Sequence, residues 1–139
     1  MNVRSFTIPG EPRGKGRPRF SSASRSTHTD SETAAYERKV AAYYRKAHGA
    51  HQAPEGNFVD VDIVAYLGIP ASATKKAKAE MAAHKILPSR KPDADNIIKI
   101  ILDALNGVAY KDDAWVHRAC CVKFYSFEPR VEVQIREVE

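Results

Sequence analysis

Residues 91–113 constrain the fold more than any other stretch, because they combine a proline, a short apolar helix and a concentration of acids. Pro92 disfavours helical backbone at the residue before it. If the backbone stays extended through Asp95, the side chains of Asp93 and Asp95 point to the same side. Asp95 or Asn96 can then cap the next helix, since their side-chain oxygens accept hydrogen bonds from free backbone amides.

An apolar stripe with helical spacing follows these acids and predicts an amphipathic helix that ends at Asn106-Gly107. On the opposite face Asp95, Lys99 and Asp103 recur every four residues, so Lys99 lies one turn from each acid. The chain then turns back to Asp112-Asp113, ahead of another apolar run. The stripe consists of Ile97, Ile98, Ile101, Leu102 and Leu105.

Carboxylates at close range repel one another unless a cation lies between them. Hard oxygen ligands suit Mg²⁺ or Mn²⁺, which need few carboxylates besides waters and substrate phosphate. An EF-hand calcium loop is excluded, because Ile97 stands at its fifth position and Ile98 where glycine is required. The residues alone leave a second interpretation open, in which the acids only cap a helix and form a turn.

The order of these residues resembles the signature of the RusA-type Holliday junction resolvases. The matching pieces are Lys-Pro-Asp-Ala-Asp-Asn-Ile-Ile-Lys from residue 91, Leu-Asp-Ala-Leu-Asn-Gly from residue 102 and Asp-Asp-Ala-Trp-Val from residue 112. A second block is typical of phage-type members: Ile-Pro-Gly-Glu-Pro from residue 8 and Lys-Gly-Arg-Pro-Arg-Phe from residue 15. Ala94 stands where the family commonly has a larger apolar residue, which should affect packing and not metal binding.

The resemblance implies a metal-dependent endodeoxyribonuclease that resolves four-way DNA junctions by paired nicks. By position, Asp93, Asp95 and Asp113 would bind Mg²⁺, with Mn²⁺ as a substitute, and Lys99 would be the essential catalytic lysine. The sequence leaves open whether one or two ions bind, and whether Asp112 or Asp113 is the ligand. The resemblance also implies a homodimer acting on branched DNA without a small-molecule cofactor.

Charge is distributed unevenly along this chain of net charge +5. Two segments, residues 1–30 and 71–91, each hold six basic residues and at most two acids. Basic segments on both sides of an acidic centre predict a phosphate-binding rim around a metal site. A solvated surface is the alternative, especially for residues 75–85. The candidate DNA contacts are Arg13, Lys15, Arg17, Arg19 and Lys91.

Length and composition predict one soluble domain spanning residues 1–139. No apolar run is long enough for a membrane span, and the first residues lead into no signal-peptide core. Cys120 and Cys121 are adjacent within a strand-like run, which favours packing over a zinc site and suits a reduced compartment. We therefore expect a cytoplasmic protein.

Periodicity and capping signals predict an α/β (α+β) domain: a small, mixed, RusA-like sheet with helices packed against it. Tyr36, Tyr43 and Tyr44 share a helical stripe, which favours a core or dimer contact over base stacking. Asp60 and Asp62 are another pair of acids on one strand face, and a solvated face explains them more simply than a contact with the metal. The expected elements are a strand at 3–8, a mobile basic loop at about 10–28, a helix capped by Thr29 and ending near Gly49, a strand at 59–67, a helix capped by Ser72 and running to about Ala83, the helix of the acidic motif, and strands at 115–127 and 130–138.

Two other functions stay open from the sequence. One is a flap or fork nuclease that uses the same acids. The other belongs to a different class, a non-catalytic nucleic-acid-binding module whose acids only cap and turn. Mg²⁺-dependent cutting of a synthetic junction, compared with flap and duplex substrates, separates the three.

Overall fold

The computed structural model describes residues 2–16, 19–21, 26–28 and 31–138, and for 19–21 and 26–28 it describes the backbone. The elements follow the predicted order, with one additional hairpin. They are β1 Val3–Pro9, β2 Arg19–Ser21, β3 Ser26–His28, α1 Ser31–His48, β4 Val59–Gly68, α2 Lys75–Ala82, α3 Ala94–Leu105, a 3₁₀ turn Asp113–Trp115, β5 Val116–Ser126 and β6 Arg130–Glu137.

A four-stranded sheet in the order β1-β6-β4-β5 forms the centre of the domain. β6 runs antiparallel to both β1 and β4, whereas β4 and β5 are parallel. A parallel pair needs a crossover connection, and residues 69–115 supply it with α2 and α3. The predicted single domain with a small mixed sheet and helices is thus confirmed. None of the described helices is long and apolar enough to cross a membrane.

One face of the sheet packs against α1 and α3 and forms the core. In β4, every second residue from Val59 to Leu67 is buried on this face. The buried positions of α3 are Ile97, Ile100, Ile101, Ala104 and Leu105. Burying such a side chain stabilises a fold by roughly 1.5–3 kcal/mol. This row of contacts therefore fixes which side of α3 faces solvent.

The starts of two helices differ from the prediction. α3 begins at Ala94, so the backbone is not extended through Asp95; Asp93 occupies the N-cap position, and its side chain makes no capping hydrogen bond. The Asp93 carbonyl already accepts from the amides of Asn96 and Ile97, both at 3.1 Å. α2 is capped by Thr74 and not by Ser72, because the Thr74 hydroxyl accepts from the Ala77 amide at 3.1 Å. Thr29, the predicted cap of α1, lies outside the described residues.

The predicted basic loop is only partly a loop. β2 and β3 pair as a small antiparallel hairpin within it, and Phe20 lies opposite Thr27. Both residue types favour strands, and the serine-rich composition between them hid this signal. Residues 10–16 remain without regular secondary structure.

The tyrosines of α1 belong to the core, as predicted. Tyr36 and Tyr44 are buried, and the Tyr44 hydroxyl donates to the His51 carbonyl at 2.7 Å. The expectation for Asp60 was wrong, because this carboxylate is buried and bonds Arg136 at 2.9 Å and His117 at 3.1 Å. These bonds, that with Arg136 above all, lower the pKa of Asp60 despite its burial.

A buried ion pair lies at one end of the β1–β6 ladder, where β1 begins and β6 ends. Arg4 donates to the Glu137 carboxylate at 2.8 Å and to the Tyr44 hydroxyl at 3.1 Å. Asn57 donates to the other Glu137 oxygen at 3.2 Å. Burial alone would raise the pKa of Glu137, but the bonds from Arg4 and Asn57 and the charge of Arg4 outweigh it and hold the pKa below the usual 4.5.

Glu137→Gln should lower the free energy of unfolding by about 3–5 kcal/mol at neutral pH, because it leaves the Arg4 charge buried without its partner. A lowered folded-state pKa stabilises the fold above the unfolded pKa, and this contribution disappears as pH falls through the folded pKa. The difference between wild type and variant should therefore shrink as pH falls below the usual 4.5. Urea unfolding followed by circular dichroism measures it, with exposed Glu128→Gln as control. A constant difference down to acid pH would contradict this account.

Candidate active site

The first turn of α3 presents two acids to solvent. Asp93, at the N-cap position, has a side chain 54% exposed, and its carboxylate lies 3.5 Å from the Lys91 ammonium. Asp95 lies exposed within the first helical turn. The partial positive charge of a helix N-terminus favours carboxylates here. Lys99 follows one turn later and is also exposed, so three of the predicted catalytic residues lie on the solvent side of one helix.

The 3₁₀ turn before β5 carries the other acid pair. The Asp112 carboxylate accepts from the Ala114 amide at 3.0 Å, and this bond, with another shared with Asp113, lowers the pKa of Asp112. The pKa of Asp113 is raised, first by the hydrogen bond to Asp112, then by burial and by the charges of Asp112 and Asp103. Asp112 is thus engaged in capping the turn, and its carboxylate also shares a hydrogen bond with Asp113.

Tyr110 holds this turn against the second half of α3. Its ring is fully buried, and its hydroxyl donates to the Leu102 carbonyl at 2.8 Å. Burial raises the pKa of Tyr110 far above its ordinary value, and the charges of Asp113, Asp103 and Asp112 raise it further. Tyr110 therefore lies close enough to Asp103, Asp112 and Asp113 to be affected by the charges of all three.

Residues 12–16 pack directly on the start of α3. A side chain at Gly14 would place its Cβ 2.9 Å from the Cβ atoms of both Pro92 and Asn96, so only glycine permits this approach. The next amide, that of Lys15, donates to the Asn96 carbonyl at 2.9 Å. The first predicted basic segment therefore contacts the segment that carries Asp93.

Lys15 is bound by two carboxylates. Its ammonium lies 2.7 Å from Glu37 of α1 and 3.1 Å from Asp103 of α3, and its side chain is 14% exposed. Burial lowers the pKa of Lys15, but the hydrogen bonds to Glu37 and Asp103 outweigh it and the net shift is upward. Lys15 was predicted from the sequence as a DNA contact; that role stays a prediction, and its ammonium is already engaged.

A surface cleft of about 350 Å³ lies along the contact between the basic segment and the start of α3. Residues 12–15 form one wall, and residues 91–93 with Asn96 form the other. Arg13 pairs with Glu32 at 2.8 Å but remains 41% exposed, and the Lys91 side chain is 85% exposed. Arg17 lies outside the described residues, and for Arg19 the structure gives only its place in β2. The cleft thus combines exposed cations with the Asp93 carboxylate.

The acids do not form a complete metal cage in this chain. Within the described ranges, no three His, Cys, Asp or Glu side chains are gathered closely enough to hold a metal ion. Carboxylate oxygens are nevertheless the donors that Mg²⁺ prefers, and it commonly takes one or two of them with waters and substrate phosphates. The donor chemistry fits the ion, and Asp93, Asp95 and Asp113 as its ligands stay a prediction.

Sequence reasoning missed several residues that shape this region. Glu11 contacts Arg90 and the Gly68 amide, and Glu37 contacts Lys15. Glu11 and Arg90 are separated by 79 positions. No local pattern indicates such a pair, although Glu11 belongs to the N-terminal block and Arg90 directly precedes the acidic motif.

Comparisons with known proteins identify the family of this chain. The family model described as endodeoxyribonuclease RusA matches residues 9–136. A Bacillus subtilis (strain 168) protein named "Uncharacterized protein YqaN" is 40% identical over 141 residues, which covers 99% of each chain. The acids at the start of α3, the acids before β5 and the basic segment all fall within the matched range, so the molecule is an endodeoxyribonuclease. It belongs to the RusA family, and the resemblance seen in the sequence is confirmed.

Asp112→Asn should lower the pKa of Asp113 in the absence of divalent ions. The variant removes the neighbouring negative charge, and the new amide can donate to the Asp113 carboxylate. Carboxyl carbon NMR during a pH titration measures this shift, and Asp62→Asn, on the other face of the sheet, should leave Asp113 unchanged. An Asp113 pKa that does not move would show that the pair is not coupled.

Proposed function

We propose that this enzyme is a Mg²⁺-dependent endonuclease that resolves four-way DNA junctions by paired symmetric nicks, with Mn²⁺ able to substitute. The observation that carries the proposal is the cleft lined by residues 12–15, residues 91–93 and Asn96, in which Arg13, Lys91 and Asp93 share one surface. A phosphodiester attracted by the cations would thereby lie beside the acids. Family membership supports the same substrate class.

Each acidic or basic residue of the motif has a proposed role. Asp93, Asp95 and Asp113 would hold the ion, while Asp112 keeps the 3₁₀ turn closed through its bond to Ala114. Bound Mg²⁺ supplies a water of lowered pKa and neutralises charge on the phosphate. Lys99, exposed one turn beyond Asp95, would stabilise charge developing on the phosphate oxygens.

The DNA backbone would be followed by Arg13 and Lys91 at the cleft and by Arg17 and Arg19 further along the basic segment. Arg13 and Lys91 both keep substantial exposed surface despite their carboxylate neighbours. Surface ion pairs of this kind contribute little to stability. Exchanging such a partner for a phosphate therefore costs the protein little.

A homodimer would supply the two sites that paired nicks require. The outer face of the sheet around Val64 and Val122 is the surface we assign to the second copy. Further along this face, His84 stacks on Phe124 at 4.1 Å and Arg130 lies over the Tyr66 ring at 3.9 Å, so that part is already covered within the chain. Val64 lies opposite Val122 in the β4–β5 ladder, and Val122 is 47% exposed. Parallel strands are ordinarily covered on both faces. The neighbouring charges are paired within the chain, Asp62 with Arg118 at 2.8 Å among them, so little net charge opposes self-association.

Asp93→Asn should reduce Mg²⁺-dependent cleavage of a synthetic four-way junction at least about 100-fold, as loss of a charge-stabilising catalytic group does. Junction binding should persist, because the phosphate-contacting cations remain. Gel assays with and without Mg²⁺, on junction, flap and linear duplex, measure both, with exposed Glu55→Gln as the charge-matched control. Undiminished cleavage by the variant would show that Asp93 is not part of the active site. Preferential cutting of flaps would show that a flap, and not a four-way junction, is the substrate.

Val122→Asp should convert the proposed dimer to a monomer, because it buries an unpaired charge at the centre of the contact. Light scattering after size-exclusion chromatography measures the mass. Leu87→Asp, which alters an apolar side chain 58% exposed and outside the sheet, is the matched control. A dimeric Val122→Asp protein would move the contact elsewhere, and a monomeric wild type would exclude the homodimer.

A further inference from the structure

The segment of residues 11–15, which we call the brace, is fixed to the rest of the molecule at both ends. At its first end, both Glu11 carboxylate oxygens accept from the Gly68 amide, at 2.9 and 3.0 Å. Arg90 donates to the same carboxylate at 3.1 Å and to the Gly68 carbonyl at 3.2 Å. Glu11 thus joins the end of β4 to the residues just before Asp93.

A further contact secures this junction from the sheet. The Lys123 ammonium of β5 donates to the Arg90 carbonyl at 2.8 Å. Gly68 allows this close approach, because a Cβ at this position would lie 3.1 and 3.2 Å from the two Glu11 oxygens and would push the carboxylate aside. Arg90 is therefore held through both its side chain and its backbone, two residues before Pro92.

At its second end the brace is held by Lys15. The ammonium contacts Glu37 and Asp103, and the Lys15 amide donates to the Asn96 carbonyl. Between the two ends, Gly14 lies in close contact with Pro92 and Asn96. The brace consequently fixes the spacing between the basic segment and the acid-bearing start of α3.

We propose that Glu11 and Lys15 are positioning residues for DNA cleavage: they hold the phosphate-binding segment in register with the acids of α3. The inference rests on the proposed function. It adds two residues that affect cleavage by positioning other residues. Lys15 acts here as a structural cation and not as a phosphate ligand. A phosphate could reach its ammonium only by displacing two carboxylates within hydrogen-bonding distance, at a side chain 14% exposed.

The two roles of Lys15 differ in the salt dependence of DNA binding. Each lysine that neutralises a phosphate contributes about 0.9 to the slope of log K against log salt. Lys15→Met should therefore leave the slope unchanged if Lys15 only positions the segment. Lys91→Met, which alters an exposed lysine of the same cleft, should lower the slope by about 0.9 and serves as the matched comparison.

The test combines three measurements on the full-length chain. Junction binding is measured by fluorescence anisotropy across a salt series, and cleavage as a single-turnover rate with enzyme at saturation. Hydrogen exchange at the Lys15 amide is followed by NMR without DNA or metal. We expect both Lys15→Met and Glu11→Gln to keep the salt slope of the wild type. The saturated cleavage rate should fall at least about 10-fold, because the reacting groups are misplaced. The amide of residue 15 should exchange its hydrogen faster in both variants. Exposed Glu55→Gln should change none of these.

Several results would overturn the proposal. A Lys15→Met variant with a lowered slope and an unchanged saturated rate would make Lys15 a phosphate ligand. Unchanged exchange in both variants would show that the brace does not hold the segment, whether or not the enzyme cuts. Glu37→Gln removes only one partner of Lys15 and provides a milder variant should Lys15→Met fail to fold. If Glu37→Gln and Glu11→Gln both kept the wild-type cleavage rate and the wild-type exchange of the Lys15 amide, the proposal would also be refuted. A wild type that binds junctions without cutting them would instead refute the proposed function.

Discussion

Burial of one side of α3 is the constraint on which the rest of the site depends. Ile97, Ile100, Ile101 and Leu105 have no exposed surface, and rotating the helix would expose them at a cost of several kcal/mol in total. The solvent side is thereby fixed, and with it the direction of the acids and of Lys99. Tyr110 donates a hydrogen bond to the Leu102 carbonyl near the end of the same helix. This contact helps to fix the position of the turn that carries Asp113.

The carboxylates of Asp113 and Asp103 have different electrostatic surroundings. The hydrogen bond to Asp112 raises the pKa of Asp113 first, and burial and the charges of Asp112 and Asp103 raise it further. Asp103, one of those neighbours, shares the Lys15 ammonium with Glu37. A fixed internal cation reduces the repulsion between the acids and a polyanion without taking up a carboxylate of the predicted metal set. A divalent ion held by Asp113, as proposed above, would relieve repulsion between this carboxylate and those of Asp112 and Asp103.

The sequence predicted what local patterns determine and missed what distant contacts determine. The alternation of β4 and the end of α3 at Asn106 follow from residues within a few positions of one another, and both predictions are confirmed. The start of α3 was misplaced because the Asp93 backbone, and not a side-chain cap, begins the helix. Asp60 was misjudged because its partner Arg136 lies 76 positions away. The site acids were assigned by resemblance, since spacing alone is equally consistent with caps and turns.

The two faces of the sheet have different charge arrangements, and this difference separates the two proposed interactions of the molecule. On the helix side, Lys91 and Arg13 keep exposed surface beside the cleft, so this side can attract phosphate. On the outer face, Asp60 and Asp62 already neutralise Arg136 and Arg118. A polyanion would gain little attraction on this face, because its cations are already neutralised. The same face of a second copy can instead pack against its apolar side chains. DNA and a second copy would therefore bind opposite faces without competing, and each subunit would keep its acids open to its own strand of the junction.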